Sequence, residues 1–441
     1  MAQAQASQLF DRPAELLQRL IQFDTTNPPG NELACIQFIR GLLENAGIEA
    51  RILAKDPVRP NVIARLRGEG RAAPLLLYGH VDVVTTAGQA WAVPPFEGRI
   101  SDGYLWGRGA LDMKGGVAMM LAAFLRAHHT KVSLPGDVIF AAVSDEEALG
   151  GVGAKYLVEE HSAEFGGVRY ALGEFGGFTL TVTKKRFFPI QVAEKQACWM
   201  KATVRGPGGH GSMPVRGGAM AALARFLARL DRSRLPVHIT PVARQMFGSM
   251  ASAIGGARGK ILAQLLNPQL TNALLSQLGA QSRTFDPLLH NTVSPTVLHG
   301  SAKINVIPGE VSVELDGRLL PGFKPEHILA ELRAVSGPGV EYEVMHYDPG
   351  PADPDMGLFD TLAGVLHETD PRATAVPLML TGTSDARFFS RLGIQTYGFT
   401  PMELPDDFRF IETIHSADER IPVESVGFGT DAIYRVLQRF L

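Results

Sequence analysis

The chain has 441 residues, and at about 150 residues per domain that length suggests two or three domains with a sizeable core. Lysine and arginine number 42 against 45 aspartates and glutamates, a net charge of −3 without any block of like charge; this argues against a general surface for nucleic acid or anionic membrane. With 45% hydrophobic and 20% charged residues, the composition is that of a folded globular protein rather than a peptide, fibre or disordered chain.

Two cysteines, Cys35 and Cys198, are too few for a disulfide framework and form no Cys-x-x-Cys pair, so they read as buried structural thiols. The opening MAQAQASQLFDRPAELLQRL lacks a basic start followed by an apolar run, and no export signal is expected from it. No stretch of about 18 apolar residues would span a membrane. A soluble cytoplasmic protein is the default expectation.

In chain order, an amphipathic helix over roughly residues 13 to 23 precedes short apolar runs that alternate with helical patterns. These are LLLYG (75–79), MKGGVAMMLAAFLRA (113–127), DVIFAAV (137–143) and a run ending at Ala171 and Leu172. The alternation predicts an α/β sheet, in which ligands gather outside the carboxyl ends of the strands. Polar residues cluster at those ends: His80 and Asp82, Asp145 to Glu147, and Glu174.

From Cys198 the rhythm becomes a strand (198–205), a helix (217–231), two strands (293–299 and 310–318), a helix (324–335) and a strand (340–346), the ferredoxin-like order. Periodic leucines and alanines between Val237 and Leu289 predict a helical insertion within that unit, read as packing against it rather than lining a channel. From about Asp348 the α/β pattern returns. A catalytic domain over 1–197 and 348–441, interrupted by an inserted domain over 198–347, is therefore expected.

A divalent metal site needs deprotonated carboxylates and neutral imidazoles delivered from rigid element ends. His80 and Asp82 in GHVDVV form a His-x-Asp in which the acid can accept the second imidazole N–H, although a plain strand-end histidine reads the same way. Asp112 lies among the glycines of WGRGALDMKGG, ahead of a helix, where an N-cap is the competing reading. Glu146 and Glu147 in SDEEALGG follow a strand, and consecutive acids there repel unless a cation offsets them; a solvated turn would also serve. Glu174 in ALGEFGG repeats the pattern of strand, acid and glycine, and His415 sits in ETIHSADERIP.

Taken together, GHVDVV, GRGALDMKGG, SDEEALGG, GGHGSMP, NVIPGEVSVELDGRLLPG and IHSADERIP occur in an order that resembles the M20 family of co-catalytic zinc hydrolases over nearly the whole chain. That family includes aminoacylases, carboxypeptidases, acetylornithine deacetylases and succinyl-diaminopimelate desuccinylases. The resemblance implies a zinc-exopeptidase-like α/β catalytic domain with an inserted ferredoxin-like α+β lid that dimerises. It further implies two divalent ions per chain, zinc with cobalt or manganese as alternatives. His80, Asp112 and Glu174 would hold one, and Asp112, Glu147 and His415 the other.

On the same resemblance Glu146 is the general base acting on a bridging water, and Asp82 is the partner of His80. His210 in RGPGGHGSMP stabilises the oxyanion, often across a dimer interface. Asn305 and Arg318 contact substrate, the arginine through a carboxylate, for which a planar guanidinium is suited; a strand-end salt bridge is the competing reading. TGTSDARFF (381–389) helps to shape the pocket. Glu174, where aminopeptidase and dipeptidase members tend to carry Asp, points away from a substrate with a free α-amino group. The implied reaction is hydrolysis of an amide in an N-acyl or peptidyl amino acid with a free carboxylate. The partners are then a small molecule or short peptide and a second copy of the chain, without nucleic acid or membrane. A metal-dependent esterase or lactonase, and a catalytically silent binding protein on the same scaffold, are the alternatives.

Overall fold

The structure, a computed structural model, describes residues 9–279 and 282–441. The first eight residues of the opening stretch, and two positions within the helical insertion, lie outside the described residues. The chain divides into two units, one comprising residues 1–192, 355–378 and 384–441, the other 193–354 and 379–383. These boundaries differ by a few residues from the expected 197/198 and 347/348. Residues 379–383, expected in the first domain, group with the second unit, where the Lys195 backbone N–H donates to the Leu380 carbonyl at 2.9 Å.

The first unit is built on a nine-stranded mixed sheet. At its centre Leu75–His80 lies between Val138–Val143 and Tyr170–Gly173, all three parallel, and Gln395–Gly398 extends the parallel set beside Tyr170–Gly173. These strands read as continuous apolar runs because both faces are covered. On one side Tyr78, Ile139, Ala141 and Ala171 meet Leu157, Phe165, Phe388 and Phe389. On the other lies the helix Lys114–Thr130, itself packed against Pro13–Ile21 and Val423–Leu437. Each large apolar side chain so buried contributes about 1.5–3 kcal/mol. Gly79 and Gly173 allow this close packing: a Cβ on Gly79 would stand 2.7 Å from Met113 Cε, and one on Gly173 2.5 Å from the Tyr78 ring. Each of these glycines immediately precedes a residue of the candidate site.

In the second unit the sheet order is Thr292–His299, Glu310–Leu319, Gln196–Arg205, Val340–Tyr347, with every neighbouring pair antiparallel. Numbered by appearance within the unit, the order is 2-3-1-4, the ferredoxin-like arrangement. Helices Ala219–Arg232 and Pro325–Ser336 bury Leu223, Phe226, Ile328 and Leu332 against Cys198, Met200, Val313 and Leu315. The segment expected to be a helical insertion contains Pro241–Ile254, Gly256–Gln264, Pro268–Leu278 and Ser282–Leu289. Among the described residues no helix is long and apolar enough to cross a membrane. Cys35 and Cys198 are free and buried.

Candidate metal centre

Three parallel strands deliver the first donors because each run of apolar residues ends in a polar one. His80 closes its strand, Glu174 directly follows Tyr170–Gly173, and Glu146 and Glu147 stand on a short turn beyond Val138–Val143. Asp112 comes from the loop before Lys114–Thr130, whose N-cap is Met113 without a side-chain cap bond. The competing N-cap role for Asp112 is therefore not realised. His415 follows the short helix Phe410–Thr413.

These side chains converge. His80 Nε2 lies 3.1 Å from Asp112 Oδ1 and 3.4 Å from Glu174 Oε2, while His415 Nε2 lies 3.0 Å from Asp112 Oδ2 and 3.2 Å from Glu147 Oε1. Asp112 thus turns one oxygen to each of two donor sets. In each set, His80–Asp112–Glu174 and Asp112–Glu147–His415, the ligand atoms lie within 4.8 Å of one another, and His80, Glu146 and Glu147 form a third such group. His80 is fully buried, whereas the His415 side chain is 50% exposed, at the outer edge.

The carboxyl groups of the centre are buried and act on one another. Burial pushes the carboxyls of Glu146, Glu147 and Glu174 up, and neighbouring carboxylates push them further. Burial would raise Asp112 as well, but hydrogen bonds from His415 and His80 hold it well below the usual carboxylate range. Hydrogen bonds to Asp112 and Glu147 in turn push His415 up to about 10. Two imidazoles thus stand among four acids, a donor set suited to divalent ions.

Asp82 departs in part from its expected role. His80 Nδ1 is 3.0 Å from the backbone carbonyl of Asp82 and 3.5 Å from its carboxylate. The carboxylate instead accepts the backbone N–H groups of Glu146 and Glu147, each at 3.1 Å, and Asn27 Nδ2 at 2.8 Å. A residue two positions along a strand faces the same way, which is why the sequence suggested an imidazole partner; the turn bonds come from residues more than 60 positions away. Asp145, the first of the three consecutive acids, is occupied elsewhere, pairing with Arg59 at 2.8 Å. Arg59 also binds the buried Glu32 at 2.8 Å.

The sequence profile of peptidase family M20/M25/M40 matches residues 76–439. The chain belongs to this family. Human N-fatty-acyl-amino acid synthase/hydrolase PM20D1 is 28% identical over 382 residues, 83% of this chain and 74% of that protein. Succinyl-diaminopimelate desuccinylase of Wolinella succinogenes is 26% identical over 427 residues, 96% and 97% of the two chains. In fold, human carnosine dipeptidase 1 superposes with a TM-score of 0.64 at 18% identity, covering 99% of this chain and 97% of that one. The M20 metallo-carboxypeptidase Sso-CP2 of Sulfolobus solfataricus gives 0.64 at 17% identity, covering 97% and 99%. As a family member this chain is a metal-dependent amidohydrolase or peptidase.

Within the second unit, His210 and Asn305 are neighbours. His210 pairs with Val306 in a two-stranded ribbon, and the Gly211 N–H donates to the Asn305 carbonyl at 2.8 Å. The ribbon is exposed. His210 Nδ1 stands 2.7 Å from Ser212 Oγ, and Nε2 has no hydrogen-bond partner among the described residues. Arg318 donates from Nε and Nη2 to Asp316 at 2.8 and 3.1 Å, so the strand salt bridge considered above is formed. Among the described residues its Nη1 reaches only Thr383 Oγ1, at 3.4 Å, and that edge of the guanidinium still has donors to offer.

Arg108 and Glu419 lie within two of the motifs, which by themselves assign neither of them a role. They form a buried ion pair at 2.7 Å. Asp385 is buried, neither of its carboxylate oxygens is hydrogen-bonded among the described residues, and burial pushes it up to about 8.

Proposed function

We propose that this protein hydrolyses the amide bond of an N-acyl or peptidyl amino acid with a free carboxylate, using two divalent ions held by His80, Asp112 and Glu174 and by Asp112, Glu147 and His415. The observation that carries the reading is the division of the two Asp112 oxygens between two histidine–glutamate sets. When bound, such an ion pair lowers the pKa of a shared water and polarises a carbonyl. The donor set accepts zinc, and carboxylate-rich sites also take cobalt or manganese.

Glu146 is the proton carrier in this reading. It adjoins a proposed ligand, and no hydrogen bond engages its carboxyl among the described residues. It is therefore free to take a proton from the attacking water and deliver it to the leaving nitrogen. Asp82 holds the turn that aims Glu146. His210 is assigned to the developing oxyanion, through Nε2, and the open edge of Arg318 to the substrate carboxylate, with Asn305 beside His210 as a further substrate contact. A homodimer in the cytoplasm completes the reading.

The test is a panel of N-acetyl, N-long-acyl and dipeptide substrates, with ester analogues, assayed at defined metal content with the native chain and Glu146→Gln. The account expects amides with a free carboxylate to turn over, and Glu146→Gln to retain its metal while losing roughly 10²–10⁴-fold in turnover. Full activity of that variant, or hydrolysis of esters alone, would remove the assignment.

A further inference from the structure

Glu419 lies four residues after His415, wholly buried, and its carboxylate is saturated by the loop that carries Asp112. Oε1 accepts the backbone N–H groups of Leu111 at 2.8 Å and Asp112 at 3.1 Å. Oε2 accepts that of Gly109 at 3.1 Å and Arg108 Nη1 at 2.7 Å. Arg108, equally buried, reaches back to the other loop, donating to the carbonyls of Ser416 at 3.2 Å and His415 at 3.3 Å. It also donates to Gln89 Oε1 at 2.7 Å. Gln89 Nε2 closes the circuit by donating to the His415 carbonyl at 2.8 Å.

Two loops about 300 positions apart in sequence are thus laced by one ion pair that also binds five backbone groups, three through Glu419 and two through Arg108. A buried ion pair is a poor source of net stability, because the desolvation of both charges offsets most of their attraction. What this one does is fix the distance between the backbone of Asp112 and that of His415. His80 and Glu174, by contrast, are set by adjacent parallel strands and do not depend on it.

We infer that Arg108 and Glu419 are positioning residues that set the spacing of the Asp112–Glu147–His415 donor set, so that disturbing the pair weakens the ion held there, two of whose ligands lie on the laced loops, more than the ion held by His80, Glu174 and Asp112, of whose ligands only Asp112 does. The inference rests on the two-ion reading above. Neither residue needs to touch substrate. Their effect passes through the backbone of Asp112 and His415, and it belongs to metal binding before it belongs to turnover.

The experiment is titration of the metal-stripped full-length chain with Co²⁺ alone, followed by calorimetry and visible absorption, for the native protein, Glu419→Gln and Arg108→Lys. The comparison variant is Asp370→Asn, which disturbs the Arg186–Asp370 pair (2.9 Å) away from the centre. Two binding events are expected for the native chain. In Glu419→Gln one is expected to weaken by about 10–100-fold while the other stays within a few-fold, with a smaller split of the same kind in Arg108→Lys. Asp370→Asn should lower the melting temperature and leave both affinities unchanged.

Native affinities for both ions in Glu419→Gln and Arg108→Lys, or equal weakening of both, would overturn the inference and leave the two-ion reading intact. A native chain that binds fewer than two ions would instead remove that reading and this inference with it. If Glu419→Gln does not fold, Gln89→Ala, which removes the bonds to Arg108, the His415 carbonyl and Trp91 Nε1 and leaves the ion pair itself in place, should show the same selective loss in milder form. Unchanged affinities in that variant would equally overturn the inference.

Discussion

Replacing Asp82 with asparagine separates two roles for a single carboxylate. The side chain is fully buried, and its oxygens accept the backbone N–H groups of Glu146 and Glu147, with Asn27 Nδ2 sharing the second oxygen. In Asp82→Asn one oxygen becomes an NH₂ group, which must face a donor whichever way the amide is turned. Turning it toward Glu146 sacrifices fewest bonds and orphans one buried backbone donor, a loss of about 1–3 kcal/mol. The His80 Nδ1 contact to the Asp82 carbonyl, at 3.0 Å, survives the substitution. If Asp82 acts through the Glu146–Glu147 turn, Asp82→Asn at saturating metal should lower kcat by about 10–100-fold, with little change in binding of the ion at His80. Urea unfolding, metal titration and steady-state kinetics measure the three quantities. Loss of the His80-side ion with native kcat once metal is restored would show that orienting His80 is the real role and refute the reasoning.

His210→Ala should depress kcat far more than it raises KM, because an oxyanion contact is stronger in the transition state than in the ground state; a pure KM effect would contradict the role. Gly153→Ala should destabilise the first unit by roughly 3 kcal/mol or more, since a Cβ there would stand 1.7 Å from the Ser144 carbonyl oxygen; an unchanged urea midpoint would refute that packing. Burial, reinforced by Arg318, pushes the Lys195 ammonium down to about 7. Between that pH and about 10 the unfolded chain therefore holds a proton that the folded chain has lost, and the stability contributed at this site rises with pH. The stability of the native chain relative to Lys195→Met should grow from pH 7 to 10, and parallel profiles would contradict the assignment.

The strands of the first unit were legible because a parallel strand covered on both faces needs an unbroken apolar run, and each run ends where a polar residue begins. Val138–Val143 and Tyr170–Gly173 were readable on that ground, and so were the acids just beyond them. The ferredoxin-like order of the second unit was legible from alternation alone. What escaped was long-range pairing. Nothing local to Asp82 announces that its carboxylate caps a turn at Glu146. Nothing in SDEEALGG separates Asp145, neutralised by Arg59, from the two glutamates beside it. Arg108 and Glu419 sat inside recognised motifs, yet their meeting depends on how two distant loops fold back on each other. Arg318 read as a substrate contact, with a strand salt bridge as the competing reading, and in the structure Asp316 takes one edge of the guanidinium and leaves the other.

The central claim is that Asp112 is shared between two ions. Crystals grown from zinc-loaded protein, with anomalous data collected on both sides of the zinc edge, test it most directly. The account predicts two anomalous peaks per chain about 3.5–4 Å apart, one bonded to Asp112 Oδ1 with His80 and Glu174, the other to Oδ2 with Glu147 and His415. A single peak, or a second peak without His415 and Asp112 among its ligands, would contradict it.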